Sequence, residues 1–208
     1  MIDIEAERLS AAAAYKLLVG VVVPRPIAWV STLNEAGRVN LAPFSCYTFV
    51  SNDPPMLAVS VGRRNGSPKD TARNARHWGE FVVNVVDEAL VEPMHRSSAE
   101  HAPDRSEAEQ LAIQLQPSLS VRPPRVAAAP VAMECRLEQV IEFGNLHSQL
   151  LVGRIVRFRI AEQLYRDGKI DTVRLKPLAR LGGPHYARLG EIVTMPVVGE
   201  PGPADTPS

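Results

Sequence analysis

Alternation of apolar and polar positions, rather than helical spacing, dominates this chain. Ile27–Leu33 is β-branched and aromatic, Asn34-Glu35-Ala36-Gly37-Arg38 supplies turn residues, and Val39 opens another extended stretch. That sequence predicts a hairpin. Phe44–Ser51 is a further extended run, closed by Asn52-Asp53-Pro54-Pro55, where proline pre-sets φ for a turn. Met56–Val61 and Glu80–Val86 read as strands; in the second, Phe81, Val83 and Val85 alternate against Val82, Asn84 and Val86. Strands are also expected at Pro130–Glu142, Gln149–Ile160 and, more weakly, Thr172–Leu175.

Helices are fewer. Leu9–Leu18 places Leu9, Ala13 and Leu17 on one face, and Pro24-Arg25-Pro26 stops it. Ser67-Pro68-Lys69-Asp70-Thr71 carries serine at an N-cap, proline at N1 and aspartate at N3, which predicts a helix to about Trp78, ended by Gly79. Residues 87–125 are polar, acidic and broken by proline, an excursion from the sheet with helical pieces near Glu88–His95 and Ser106–Leu115. From Pro196 on, Pro196, Pro201, Pro203 and Pro207 predict a disordered tail over 197–208. The order is mainly β with a few peripheral helices. It predicts one domain over residues 1–196, an antiparallel sheet closing on itself as a β-barrel, without internal repeat or interdomain linker.

Composition narrows the function. At 208 residues a single chain can bury roughly 70% of the surface it exposes when unfolded, so no staples are needed. Lys+Arg and Asp+Glu are both 23, giving zero formal charge, which argues against the broad basic face of a nucleic-acid binder. The 18 prolines disfavour a helical bundle. Two distant cysteines, Cys46 and Cys135, make neither a disulfide framework nor a zinc site nor a dithiol motif. The acidic start Met1-Ile2-Asp3-Ile4-Glu5 is unlike a signal peptide, and the apolar stretch Leu17–Val23 is too short to span a membrane. A cytoplasmic protein is expected, with no membrane or nucleic-acid partner.

Common catalytic motifs do not occur. No G-x-G-x-x-G follows a strand, Gly62–Ser67 does not match a P-loop, and H-E-x-x-H and G-x-S-x-G are missing. His95 and His101 read as surface residues, and no metal site is expected. What is present is concentrated in residues 24–86. Ser45, Ser60, Arg63, Lys69 and Thr71 could converge on one anion, with a phosphate near Ser67–Thr71 using the free N–H groups of a helix start. Equally, Lys69 could be a solvated charge and Ser67 a simple cap. Trp29 reads as core, Cys46 as a small buried side chain, and Arg25, between two prolines, as either a phosphate ligand or a solvated charge.

The segments Pro24-Arg25-Pro26-Ile27-Ala28-Trp29-Val30-Ser31-Thr32, Asn40-Leu41-Ala42-Pro43-Phe44-Ser45, Asp53-Pro54-Pro55, Lys69-Asp70-Thr71 and Glu80-Phe81-Val82-Val83-Asn84 stand in a telling order. Together they resemble the flavin reductase-like, or flavoredoxin, family of FMN-binding split barrels. Met133-Glu134-Cys135, Val152–Val156 and Leu178–Gly183 with Tyr186 extend the similarity over roughly Ala14 to Pro196. The resemblance implies an antiparallel split β-barrel and FMN as cofactor. It implies Ser45 and Cys46 along the flavin ring, Ser60, Arg63, Lys69 and Thr71 on the ribityl phosphate, and Tyr186 stacking from the C-terminal segment. It implies His147 facing the place where a nicotinamide stacks, although relatives often have an aspartate before this histidine and this chain has Asn145-Leu146-His147-Ser148-Gln149. His147 could equally be an ordinary rim histidine.

The implied activity is NAD(P)H-dependent FMN reduction, possible service to a separate oxygenase component, and a homodimer with flavin near the interface. An FMN-holding electron carrier without nicotinamide-dependent turnover is the alternative. A barrel that has lost flavin and acts as an interaction module is a third. In the first two, flavin carries the redox chemistry, which accounts for the lack of acid–base motifs.

Overall fold

The computed structural model describes residues 1–99, 102 and 105–198. His101, read above as a surface residue, and the tail from residue 199 lie outside the described residues. Seven strands form the main sheet: β1 (Ala28–Leu33), β2 (Val39–Phe44), β3 (Tyr47–Asn52), β4 (Pro55–Val61), β5 (Glu80–Val85), β6 (Val131–Phe143) and β7 (Ser148–Ile160). Every pairing is antiparallel, in the order β2-β1-β5-β6-β7-β4-β3. β-Branched and aromatic residues favour extended backbone in β1, β4, β5 and β7, and β1 and β5 are buried along nearly their whole length.

The edges of this sheet are consecutive in sequence. β2 ends at Phe44 and β3 begins at Tyr47, with only Ser45 and Cys46 between them. Laid flat, six strand spacings of about 4.8 Å would hold those edges roughly 29 Å apart, whereas a three-bond connection spans about 10 Å. The sheet must therefore roll until its edges meet. Among the described residues no ladder joins β2 to β3. The Ser60 N–H instead donates to the Cys46 carbonyl at 2.8 Å. The result is a rolled, split barrel rather than one closed by hydrogen bonds.

Two apolar cores lie on opposite sides of β1 and β5. Ala28 and Val30 join Leu57, Val59, Phe81, Val83, Leu151 and Ile155 inside the roll, together with Ala72 and Ala75 of helix α2 (Asp70–Trp78). At Gly153 an added Cβ would lie 2.4 Å from Cζ of Phe81, so β7 needs glycine where it crosses that ring. On the other side, Trp29, fully buried as expected, packs with Leu41, Val86, Met94 and Val126 and donates Nε1–H to Ser97 at 2.8 Å. Asn84 fastens the 87–125 excursion here: its Nδ2 donates to the Trp29 carbonyl at 2.9 Å and its Oδ1 accepts from the Val126 N–H at 2.8 Å.

Local expectations shift in four places. Ser67 does not cap a helix. Ser67–Pro68 instead pair with Arg63–Arg64 across Asn65-Gly66, both at positive φ (47° and 76°). That dipeptide strongly favours a tight hairpin, so α2 starts two residues later, with Lys69 at its N-cap; Gly79 closes it at φ 68° as expected. Thr172–Leu175 is a helical turn, not a strand, because Asp171 caps it by accepting from the Arg174 N–H at 3.0 Å. Of Ser106–Leu115, only Glu107–Gln110 is helical, and Ala112 at φ 51° ends it. Helix α1 (Ala11–Val21) is capped by Ser10, yet all eleven of its residues are half-buried or exposed, so the face carrying Ala13 and Leu17 covers no core. Residues Glu88–His95 form a 3₁₀ turn followed by helix α3 (Val91–Arg96).

Candidate functional site

The split in the barrel opens onto a groove. Its larger part, about 390 Å³, runs from Tyr186 and Arg180 past Ser98 and Met94 to Phe44 and Ser45. That volume falls in the range of small-molecule sites. It continues across Pro43, Phe44 and Ser98, which line both parts, into a basin of about 170 Å³ bordered by Arg64, Lys69, Asp70, Thr71 and Asn40. The floor of the larger part is set by the β2–β3 connection, which cannot move away from the roll. The basin sits against the first turn of α2, where the Ala72 and Arg73 N–H groups donate to the Lys69 carbonyl at 3.0 and 3.1 Å and where the helix dipole favours an anion.

Four of the cofactor-binding residues expected from sequence line this groove: Ser45 and Tyr186 in the larger part, Lys69 and Thr71 in the basin. The Lys69 ammonium lies 5.9 Å from the Phe44 ring centroid, within reach of the ring's negative face. Thr71 is buried, and its hydroxyl oxygen accepts from Nδ2 of Asn40 at 3.0 Å, leaving the O–H to donate elsewhere. The two carboxylates at the basin are already engaged. Asp70 pairs with Arg73, and Glu107 accepts from the Leu41 N–H at 2.9 Å. Cys46 is an exposed free thiol at the connection, not the buried side chain expected from sequence. Ser60 supports the same connection from below through its backbone.

Arg63 and His147 come together elsewhere, at the tip of the β6–β7 hairpin. Arg63 Nε donates to the His147 carbonyl at 2.9 Å, and its NH2 donates to Glu142 Oε1 at 2.8 Å. His147 adopts φ 50°, is exposed, and places Nδ1 3.4 Å from Glu142 Oε2. The Gln149 amide, donating to Glu142 at 2.9 Å, followed by Arg63 and His147, holds the Glu142 carboxyl below its usual range. Neither Arg63 nor His147 is among the residues that line the groove.

Sequence reasoning passed over two groove residues. Arg64 borders the basin where Arg63 was expected; successive side chains of a strand point to opposite faces, and the Asn65-Gly66 turn was the signal that these arginines belong to one. Arg25 is only 6% exposed. Its guanidinium donates to the carbonyls of Val19 (2.9 Å), Val22 and Leu181 (2.9 Å) and lies 3.4 Å from the Ser45 hydroxyl. It is neither solvated nor free for a phosphate, and it pins α1 and the C-terminal segment to the groove wall.

These residues fit a mononucleotide of the flavin type. A groove walled by Ile27, Phe44, Met94 and Tyr186 suits a flat ring, and Arg64, Lys69 and the α2 N-terminus suit a terminal phosphate. Residues 21–174 match the model of the flavin reductase like domain. The chain belongs to this family. It is similar to nitrilotriacetate monooxygenase component B from Bacillus cereus, with 40% identity and a TM-score of 0.92 over 94% of this chain and 98% of that one. It is also similar to the 2-nitrobenzoate 2-nitroreductase NbaA of Pseudomonas fluorescens, at 34% identity and TM-score 0.86 over 100% and 99% of the two chains. A split barrel domain from Shewanella frigidimarina shares the fold at 18% identity, TM-score 0.83, over 95% of this chain and 100% of that one. As a member of the flavin reductase-like family, this chain has a split barrel in which segments 24–32, 40–45 and 69–71 contribute residues to one groove. Among the described residues no helix is long and apolar enough to cross a membrane.

Proposed function

We propose that this chain binds FMN in the groove and transfers hydride from NAD(P)H to it. One observation carries the reading: a cleft lined by both aromatic and polar side chains at the barrel split shares Pro43, Phe44 and Ser98 with a basin bordered by Arg64, Lys69 and the start of α2. In this reading the Ser45–Cys46 backbone and Tyr186 hold the ring, while Lys69 and Thr71, with Arg64, hold the phosphate. Bound FMN supplies the redox chemistry, and the protein contributes binding, orientation and electrostatics. Arg25 fixes the groove wall so that the ring is held in one position, and positioning dominates such a step. Ser60 acts through the connection it supports.

His147 and Arg63 lie outside the groove of their own chain, so their expected roles require a second copy. The exposed apolar residues Leu18 and Val21 of α1 and Val22 at its C-cap give a homodimer a surface to cover. The likeness to a monooxygenase component B supports service to a separate oxygenase. The position of His147 also favours the second reading, an FMN-holding electron carrier without nicotinamide turnover.

An anaerobic experiment separates them. The protein is loaded with FMN, desalted, mixed with NADH or NADPH, and followed by visible flavin absorbance. Bleaching is expected, with the faster donor identifying the nicotinamide. Bound flavin that stays yellow sinks the reductase reading in favour of the carrier. Protein that retains no FMN is titrated with it directly, since a reductase can release flavin as product; no binding in that titration removes both readings.

A further inference from the structure

Holding a flavin leaves one cluster on the groove wall unexplained. Arg180 and Tyr186 face each other in a short antiparallel pair. The guanidinium carbon lies 4.7 Å from the Tyr186 ring centroid, and NH1 donates to the phenol oxygen at 2.5 Å. A second arm of Arg180 is spent on the Gly183 carbonyl at 2.6 Å, which fixes its plane. From the other side, Nδ1 of His95, in the last turn of α3, sits 2.8 Å from the same phenol oxygen, its ring edge-on to the tyrosine. His95 is exposed, whereas Tyr186 and Arg180 are half-buried and line the groove.

A phenol has one proton and two lone pairs. Arg180 can only donate, so it occupies one lone pair. When His95 carries its proton on Nδ1, it occupies the other, and the phenol proton has no acceptor within the cluster. It is then available to a molecule in the groove. The arginine charge beside the oxygen stabilises the negative charge left when that proton departs, and the exposed imidazole can replace the proton from water.

The geometry points to Tyr186 as a proton donor to a small α,β-unsaturated carbonyl compound, making this protein a reductase of an organic acceptor as well as of flavin. The inference rests on the flavin reading above, which supplies the reductant. Hydride from the reduced flavin forms a C–H bond at the β carbon. The electron pair of the C=C bond then takes the Tyr186 proton at the α carbon as the O–H bond breaks. His95 returns a proton to the phenolate oxygen and regains one from solvent. The flavin is oxidised and the acceptor reduced by two electrons. One relay matches a reduction that consumes one hydride and one proton; carrying a nitro group to the hydroxylamine expels water and takes a second hydride and a second proton.

The test uses FMN-loaded protein reduced with dithionite, so that nicotinamide use does not enter. Reoxidation by 2-methylcyclohex-2-enone is followed without oxygen, and the configuration of the product at its new α centre is determined. Wild type should turn over and give one enantiomer. Tyr186→Phe, compared at saturating FMN, should be at least about 100-fold slower and lose the enantiomeric preference. His95→Asn, which keeps a hydrogen bond to the phenol but cannot relay a proton, should slow the same step with a larger solvent isotope effect. As a readout apart from turnover, 4-nitrophenol titrated into flavin-free protein should bind as the red-shifted phenolate and do so at least tenfold more weakly in Tyr186→Phe. An unchanged rate and configuration in Tyr186→Phe, or turnover with 2-nitrobenzoate but not with the enone, overturns the proposal. Failure to retain FMN counts against the flavin reading instead, and the phenolate titration then decides the proton donor alone: no red shift overturns it.

Discussion

The groove and the tip of the β6–β7 hairpin are both rich in cations, and they use them in opposite ways. At the tip, Arg63, Arg76 and His147 all turn toward one carboxylate, Glu142, which also accepts from Gln149. The charges there are consumed by the fold. In the groove, Lys69 and Arg64 border a cavity at a helix N-terminus where the neighbouring carboxylates already have other partners. Charge that borders a cavity at a helix start is placed to meet a ligand, whereas charge gathered on one carboxylate at a hairpin tip fixes a shape. Two adjacent arginines, Arg63 and Arg64, fall on the two sides of this division because a two-residue strand points them apart.

The sharpest way to break the comparison is at Lys69. A hydrogen bond to a charged group contributes about 1.5–3 kcal/mol, so Lys69→Ala should weaken FMN affinity roughly 10- to 100-fold in a fluorescence titration. Affinity within twofold of wild type would remove the phosphate from the basin. The arginine pair comes next. Arg64→Ala should cost about tenfold in the same titration, and Arg63→Ala less than about twofold, given that its partners lie within its own chain. The reverse order would show that the hairpin tip, brought by a second copy, holds the phosphate.

That pair also shows how far the sequence could be read. The seven strands were legible because β-branched alternation is a local signal, and the flavin reductase-like segments were legible because they keep family order. The roll was expected too, from the run of strands and short turns and from the family resemblance. The order of strands across the sheet was not, since it depends on contacts far apart in sequence. The helix start was misplaced because Ser67-Pro68 carries two valid signals, a cap and a strand, and the Asn65-Gly66 turn decides between them. Assigning Arg63 to the phosphate failed to use the same turn. His147 illustrates a different limit: its place in the chain matches the family, yet its setting depends on a hairpin, and through that on any second copy, which one sequence does not describe.

The smallest effect is expected at Glu142, and it tests whether the tip is a fixed shape. Its partners hold its carboxyl below the ordinary range, near 4.3 for an unperturbed glutamate. A carboxylate whose folded pKa is depressed contributes its full stabilisation above the unfolded value and loses it as pH falls through the folded one. The tip should therefore stay ordered down through the usual carboxylate range and loosen only below it. Hydrogen exchange reports this at the His147 N–H, which donates to the Gly144 carbonyl at 3.0 Å. After correction for intrinsic rates, protection over residues 143–149 should be flat at neutral pH and fall in acid. Glu142→Gln keeps an acceptor for Gln149 but removes the charge, so protection should already be lower at neutral pH and change little with acid, while FMN affinity stays within about twofold. If both proteins lose protection over the same pH window, the carboxylate is not what holds His147. The contrast between a tip that gathers its charges on one carboxylate and a groove that sets them beside a cavity would then rest on the groove alone.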